Sequence, residues 1–314
     1  MTGVISSLAP VFGLIVAGYL LKTKGPFGQA FWEGAERLTF YILFPALLLT
    51  SIARAKVGGM AMLPMAAALA AATLILAGVL AWARPSLAKG GLSGPAFAAL
   101  FQGAIRPNTY VGIAVLVALY GKAGLPLAAI AIVAVIPLVN FLGIVAHLRW
   151  ARPLAAGRPA ANPGWGEAVV PALRNPIIVA CLLGAAMNVL GVGFPPVIGP
   201  MLDILGRAAL PIGLMAVGAG LDLAAARDAR APVAMATVLK LIVMPLAVDT
   251  ACRAFGVADV TRAAADIFAA LPVSATAYVV SAQMGGDARL MAGIVAASTV
   301  AAAVTLPVVV FVVG

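Results

Sequence analysis

Apolar runs alternate with short polar breaks along most of the chain, and ten runs emerge, with approximate limits 4–21, 35–55, 61–83, 94–120, 125–149, 169–190, 196–222, 231–254, 262–284 and 288–313. Each is near the roughly 20 residues a helix needs to cross about 30 Å of hydrocarbon, and the breaks carry Gly, Pro and charge. The fourth run is unlike the others. Its middle reads Ile105-Arg106-Pro107-Asn108-Thr109. Proline removes a backbone donor, clashes with the preceding turn and pushes Arg106 away from the α region, so the spacing predicts a broken helix. Asn108 and Thr109 are placed to cap a second half-helix that starts at mid-membrane depth. Freed backbone and an arginine at that depth are tolerated where they are buried in protein or line a watery cavity. A half-helix N-terminus there offers N–H groups and a positive dipole end to an anion, as the broken helices of secondary transporters do. The competing reading is a proline kink, with Arg106 snorkelling or paired to a neighbouring helix.

The two halves of the chain resemble each other. Pro10 and Pro176 are 166 residues apart, as are Pro45 and Pro211, and Pro107 and Pro272 are 165 apart. LYGKAG follows the fourth run and QMGGDA the ninth. Five runs per half is an odd number, so the halves are expected to lie in opposite orientations across the membrane. The expected organisation is a five-helix repeat over 1–150, a linker at 151–168 and an inverted five-helix repeat over 169–314. The fold class is an all-α membrane protein of ten transmembrane helices, with crossover helices four and nine broken.

The partner of the fourth run is the ninth, DIFAALPVSATAYVVSAQMG, where Leu271-Pro272 predicts the second break and Ser274 or Thr276 the cap of the continuing half. An anion held between two such half-helices would meet Asn108, Thr109, Ser274, Thr276 and the guanidinium of Arg106, whose planar fork suits a carboxylate. Tyr110 and Tyr278 are candidates to close the pocket, though each also reads as ordinary packing. Asn140, beside Pro137 in the fifth run, reads equally as facing the crossing or not. Lys240 falls about nine residues into the eighth run, near mid-membrane, where an unpaired ammonium is costly. Asp266, Asp249 or freed carbonyls are its candidate partners, and a structural pairing is favoured over a coupling role. Asp203 and Arg207, four apart in the seventh run, are expected to pair with each other.

Composition narrows the class. Of 314 residues 64% are hydrophobic and 10% charged, with a mean hydropathy of +1.12, which excludes a soluble globular protein and a nucleic-acid reading of the net charge of +10. With the N-terminus outside, alternate loops hold twelve basic residues inside and five outside, so both termini are expected outside and the central loop in the cytoplasm. Cys181 and Cys252 read as small packing residues and the lone His147 as an interfacial side chain near a helix end. The charges Lys22 and Lys24 follow the first apolar run instead of preceding it, unlike a cleaved signal peptide. No metal site or cofactor is expected.

FYILFPALLLTSIA, RPNTYVGIAVLVALYG with VIPLVN, RNPIIVACLLGAAMNVLGVGFPPVI with ALPIGLMAVGAGLDL, LKLIVMPL and ALPVSATAYVVSAQMGGD together resemble the auxin efflux carrier family across essentially the whole chain. That family includes plant auxin exporters and bacterial carriers described as malate or malonate permeases. The resemblance implies a fold similar to sodium/bile-acid symporters and sodium/proton antiporters, with scaffold and transport subdomains. It also implies a homodimer in the bacterial inner membrane that moves organic anions such as malonate, malate or auxin-like acids. Many members place the fourth-span proline several residues after the asparagine, where this chain has Ala114; here Pro107 precedes Asn108. Proton-linked, sodium-linked and uncoupled modes all stay open, with Asp266 and Asp249 the carboxylates best suited to carry a proton. The alternative function is a membrane sensor that binds an organic anion without net transport. An enzyme is disfavoured, because the chain lacks His-Glu-x-x-His, Gly-x-Ser-x-Gly and a Walker lysine loop.

Overall fold

A computed structural model describes residues 2–55, 62–151 and 175–313. The linker expected at 151–168, with Arg152, Arg158 and Trp165, lies outside the described residues except for Ala151. The described chain is all-α. Seven of its helical stretches are long and apolar enough to cross a membrane, namely Ser6–Thr23, Gln29–Ala53, Met62–Lys89, Thr109–Ala151, Ile198–Ala219, Arg230–Ala254 and Ala288–Val313, while Gly94–Ile105 and Pro176–Leu190 are apolar but shorter. Large apolar side chains stand exposed on these helices, among them Ile75, Leu190 and Trp82, the last 84% exposed. Outward apolar faces on long helices are what a hydrocarbon surrounding selects.

The chain divides into two compact units, each assembled from both halves of the sequence: Met1–Met60, Thr109–Val133 and Pro171–Gly220 in the first, Ala61–Asn108, Ala134–Val170 and Leu221–Gly314 in the second. The first unit contains α1 (Thr2–Thr23), α2 (Gln29–Leu38), α3 (Phe44–Ala53), α6 (Thr109–Tyr120), the start of α7 (Gly124–Ala146), α8 (Pro176–Leu190) and α9 (Ile198–Ala219). Here α1 packs along α9 and α3 along α8. A Cβ on Gly18 would stand 1.9 Å from the carbonyl oxygen of Met215, and one on Gly218 1.8 Å from that of Ile15. The two backbones therefore meet directly, the close approach that small residues permit between membrane helices. Pro45 sits in the first turn of α3, directly after a widened π-helical turn at Thr39–Leu43. At the far end of α3, Asn188 Nδ2 donates to the carbonyls of Ile52, Ala53 and Ala55 at 3.1, 3.0 and 2.8 Å. Asp203 pairs with Arg54 and not with Arg207 as its spacing suggested: Arg54 Nη1, from the other helix, reaches both carboxylate oxygens at 2.8 and 2.9 Å in an exposed contact that displaced the local pair.

The second unit contains α4 (Met62–Lys89), α5 (Gly94–Ile105), the end of α7 with its π-helical turn His147–Ala151, α10 (Ala225–Asp228), α11 (Arg230–Val238), α12 (Met244–Ala254), α13 (Asp259–Ala269), α14 (Thr276–Gln283) and α15 (Ala288–Val313). Its centre is α5, buried at every residue from Phe97 to Ile105 and packed by α4, α11, α14, α15 and the His147–Ala151 turn. A helix apolar all round is a buried one. Ser93 caps it by accepting from the Ala96 N–H at 3.3 Å, and Pro95 occupies its first turn, where a missing N–H costs nothing.

Candidate functional site

The predicted break falls where proline chemistry puts it. Helix α5 stops at Ile105, and Arg106 takes an extended backbone with φ −93° and ψ 107°, the conformation that a following proline enforces. The next helix, α6, begins at Thr109 and runs unbroken through Ala114. The break thus follows Pro107 and not the later position where many family members carry proline. The second break lies between α13 and α14, from Ala270 to Ala275. Within the second unit the two interruptions pair as a short antiparallel bridge: Pro107 lies opposite Val273, and the Asn108 N–H donates to the Pro272 carbonyl at 2.8 Å. The Val273 N–H goes to Ser298 Oγ on α15 at 3.1 Å. Backbone groups released by two broken helices therefore satisfy one another, as a water-poor interior requires.

Three of the expected site residues meet at this bridge. Arg106 Nη2 donates to Thr276 Oγ1 at 3.0 Å, and Thr276 Oγ1 lies 2.9 Å from Ser274 Oγ. Ser274 and Thr276 do not cap α14; its N-cap is Ala275, which makes no side-chain cap. Their hydroxyls are turned instead to one another and to the guanidinium, a charged donor that outcompetes a neutral backbone N–H. Among the described residues no carboxylate lies within ion-pair reach of Arg106. Asn108 is buried next to the bridge.

Thr109 and Tyr110 belong to the first unit, where the Tyr110 ring stacks on Phe44 with centroids 4.4 Å apart. Asn140 is half-buried on α7, and Tyr278 is 46% exposed on α14. Lys240 lies in a π-helical turn, Leu239–Val243, ahead of Pro245. The proline has no donor for the carbonyl one turn earlier, and the helix widens. Its ammonium is buried and donates to the Ala269 carbonyl, at the negative end of half-helix α13. Of its three candidate partners the structure selects the freed carbonyl. Beside it lies a cavity of about 10 Å³, enough for one water, lined by Thr73, Ile105, Pro107 and Phe268. Asp266 is buried with neither carboxyl oxygen hydrogen-bonded among the described residues, whereas Asp249 pairs with Arg253 at 2.9 Å and lies 3.7 Å from Arg262.

Two residues carry more than their sequence suggested. His147 is not interfacial but fully buried; Nδ1 donates to the Gly143 carbonyl at 2.8 Å and Nε2 shares a 3.0 Å bond with Ser281 Oγ. A single histidine near a helix end gives no hint of a distant serine, so burial prevailed over the interfacial expectation. Gln102, on α5 one turn before Arg106, is fully buried, and among the described residues neither its amide oxygen nor its nitrogen has a hydrogen-bond partner. The signal for it was available: a lone amide inside an otherwise apolar helix half. Cys181 and Cys252 are buried free thiols, and among the described residues no three His, Cys, Asp or Glu are grouped to hold a metal.

Long helices with apolar outer faces, interrupted where an arginine has no counter-ion among the described residues, define a multi-pass membrane protein with a polar site at its helix breaks. The family described as "Membrane transport protein" matches residues 3–156 and 167–310, and the chain belongs to that family, the auxin efflux carrier family. An uncharacterized transporter of the archaeon Methanothermobacter thermautotrophicus is 24% identical over 309 residues, covering 97% of each chain. The protein is thus of a transporter family and not an enzyme.

Proposed function

We propose that the protein is a secondary carrier of small organic anions, carboxylates of the malonate, malate or auxin-like kind, working by alternating access at the two helix breaks. The observation that supports it is Arg106. Its guanidinium is half-buried and donates to Thr276 Oγ1 at 3.0 Å, with no carboxylate in reach among the described residues. A charge kept at that depth is costly unless something neutralises it. An arriving carboxylate supplies the counter-charge, with the Ser274 and Thr276 hydroxyls as further partners. Asn108 and Asn140, of the same unit, stay candidates for this pocket.

In this reading the five-helix halves are inverted repeats joined by the cytoplasmic linker, both termini face outward from a bacterial inner membrane, and two copies form a homodimer. Coupling to a proton, if present, falls to Asp266, the buried carboxyl without a hydrogen bond among the described residues, in preference to Asp249, which already has arginines. Lys240 holds the carbonyl end of α13 in the position a coupling cation would otherwise take.

The test is solid-supported-membrane current on reconstituted protein, with jumps of malonate, malate and indole-3-acetate over a matrix of pH and sodium. A current that saturates with one anion and falls about tenfold or more in Arg106→Ala is expected, the loss of a charge-assisted contact. Saturable binding without counterflow would make the protein a sensor. Unchanged uptake in Arg106→Ala would remove the arginine from the site.

A further inference from the structure

Gln102 has no structural reason to be a glutamine. It sits in the middle of α5, a helix half buried on all sides, with no exposed surface and, among the described residues, no partner for either end of its amide. Native interiors keep very few such groups, because each forfeits its water without compensation. The space around it is specific. A Cβ on Gly143 of α7 would stand 3.3 Å from Gln102 Nε2, so any larger residue there would press on the amide, and the Gly143 carbonyl already accepts from His147 Nδ1. The nearby polar pair, His147 and Ser281, satisfies itself at 3.0 Å. Gln102 is the group left open. Four residues on is Arg106, the residue that ends the helix, whose N–H still donates to the Gln102 carbonyl at 3.0 Å, so the two side chains leave the helix end on the same side.

We infer that Gln102 is a substrate-binding residue that determines specificity: Arg106 takes the carboxylate of the anion and the Gln102 amide takes a second, uncharged polar group on the same molecule, a hydroxyl or carbonyl. An amide both donates and accepts, and it supplies no charge to balance a second carboxylate. The inference rests on the anion-carrier reading. It narrows the substrate to hydroxy or oxo acids of a few carbons. A site that leaves a buried amide unpaired also rejects the analogue lacking the matching group.

The test compares pairs that differ by one hydroxyl, lactate with propionate and 3-hydroxybutyrate with butyrate, as competitors in counterflow on the reconstituted full chain. The wild type is expected to prefer the hydroxy acid of at least one pair by about tenfold or more. Gln102→Met, similar in volume and apolar, should bring that preference close to unity by weakening the hydroxy acids more than propionate and butyrate. Its thermal stability should be equal or higher, because two orphaned polar atoms are gone. Equal losses for all four acids, or a lowered melting temperature, would make Gln102 a packing residue and overturn the proposal. So would a wild type that carries these acids with no hydroxyl preference, an outcome that leaves the carrier reading standing. Arg106→Ala separates the two levels: carriage unaffected by it, or no carriage of any anion, defeats the carrier reading itself and this inference with it.

Discussion

Replacing Lys240 by methionine separates stability from function at the most costly buried charge in the second unit. The ammonium is 1% exposed, donates to the Ala269 carbonyl and has no carboxylate within ion-pair reach among the described residues. Methionine matches the length of the lysine stem and leaves no large void. Two effects then oppose each other. Removing the ammonium forfeits a hydrogen bond from a charged donor, worth about 1.5–3 kcal/mol. It also removes a lysine buried in an apolar span, where the charge costs about 2.5–3.5 kcal/mol on insertion scales. The second effect is the larger over most of this range, so Lys240→Met should lie between about 0.5 kcal/mol less stable and about 2 kcal/mol more stable than the wild type. Transport should nevertheless fall, because α13 loses the cation at its carbonyl end just before the second helix break. The assay is thermal unfolding in nanodiscs followed by tryptophan fluorescence, with counterflow on the same preparations. Destabilisation by more than about 2 kcal/mol would refute the reasoning, since only a counter-charge in contact with the ammonium makes its removal so costly. Full activity at unchanged stability would show that the lysine serves neither purpose.

Two further predictions concern the first unit. Asn188→Ala should destabilise by about 1–3 kcal/mol, because Nδ2 donates to three carbonyls at the end of α3 (Ile52, Ala53 and Ala55), of which, among the described residues, Ile52's alone also accepts from a backbone N–H there, that of Ala55 at 3.1 Å; thermal unfolding measures this, and a change below about 0.5 kcal/mol would mean that water takes over those carbonyls. Gly218→Ala should cost more than about 3 kcal/mol or abolish folded expression, because its Cβ would stand 1.8 Å from the Ile15 carbonyl oxygen and backbone cannot yield as a side chain can; size-exclusion profiles read the outcome, and a monodisperse variant as stable as the wild type would show that α1 and α9 separate freely.

Much of the site was legible because proline acts locally. Arg106-Pro107 fixed the first break to the residue, and Ala114, lying inside a continuous α6, shows that the helix stays intact where no proline interrupts it. Leu271-Pro272 likewise fell inside the second break, which runs from Ala270 to Ala275. What failed depended on partners far along the chain. Arg207 was the nearer candidate for Asp203, but Arg54, 149 residues away, reached both of its carboxylate oxygens. Ser274 and Thr276 had the chemistry of helix caps, and the arginine of a distant helix took them instead.

The sequence by itself determined that this is a multi-pass helical membrane protein, where two of its helices break, and that an arginine stands at one break. Hydrophobic run length and the missing proline N–H are properties of a few consecutive residues, so they need no fold to be read. Only the tertiary structure decided which groups are left without partners. Lys240 found a carbonyl, His147 a serine and Asp249 two arginines, while Asp266 and Gln102 found none among the described residues. Whether a polar group is satisfied depends on every element packed against it.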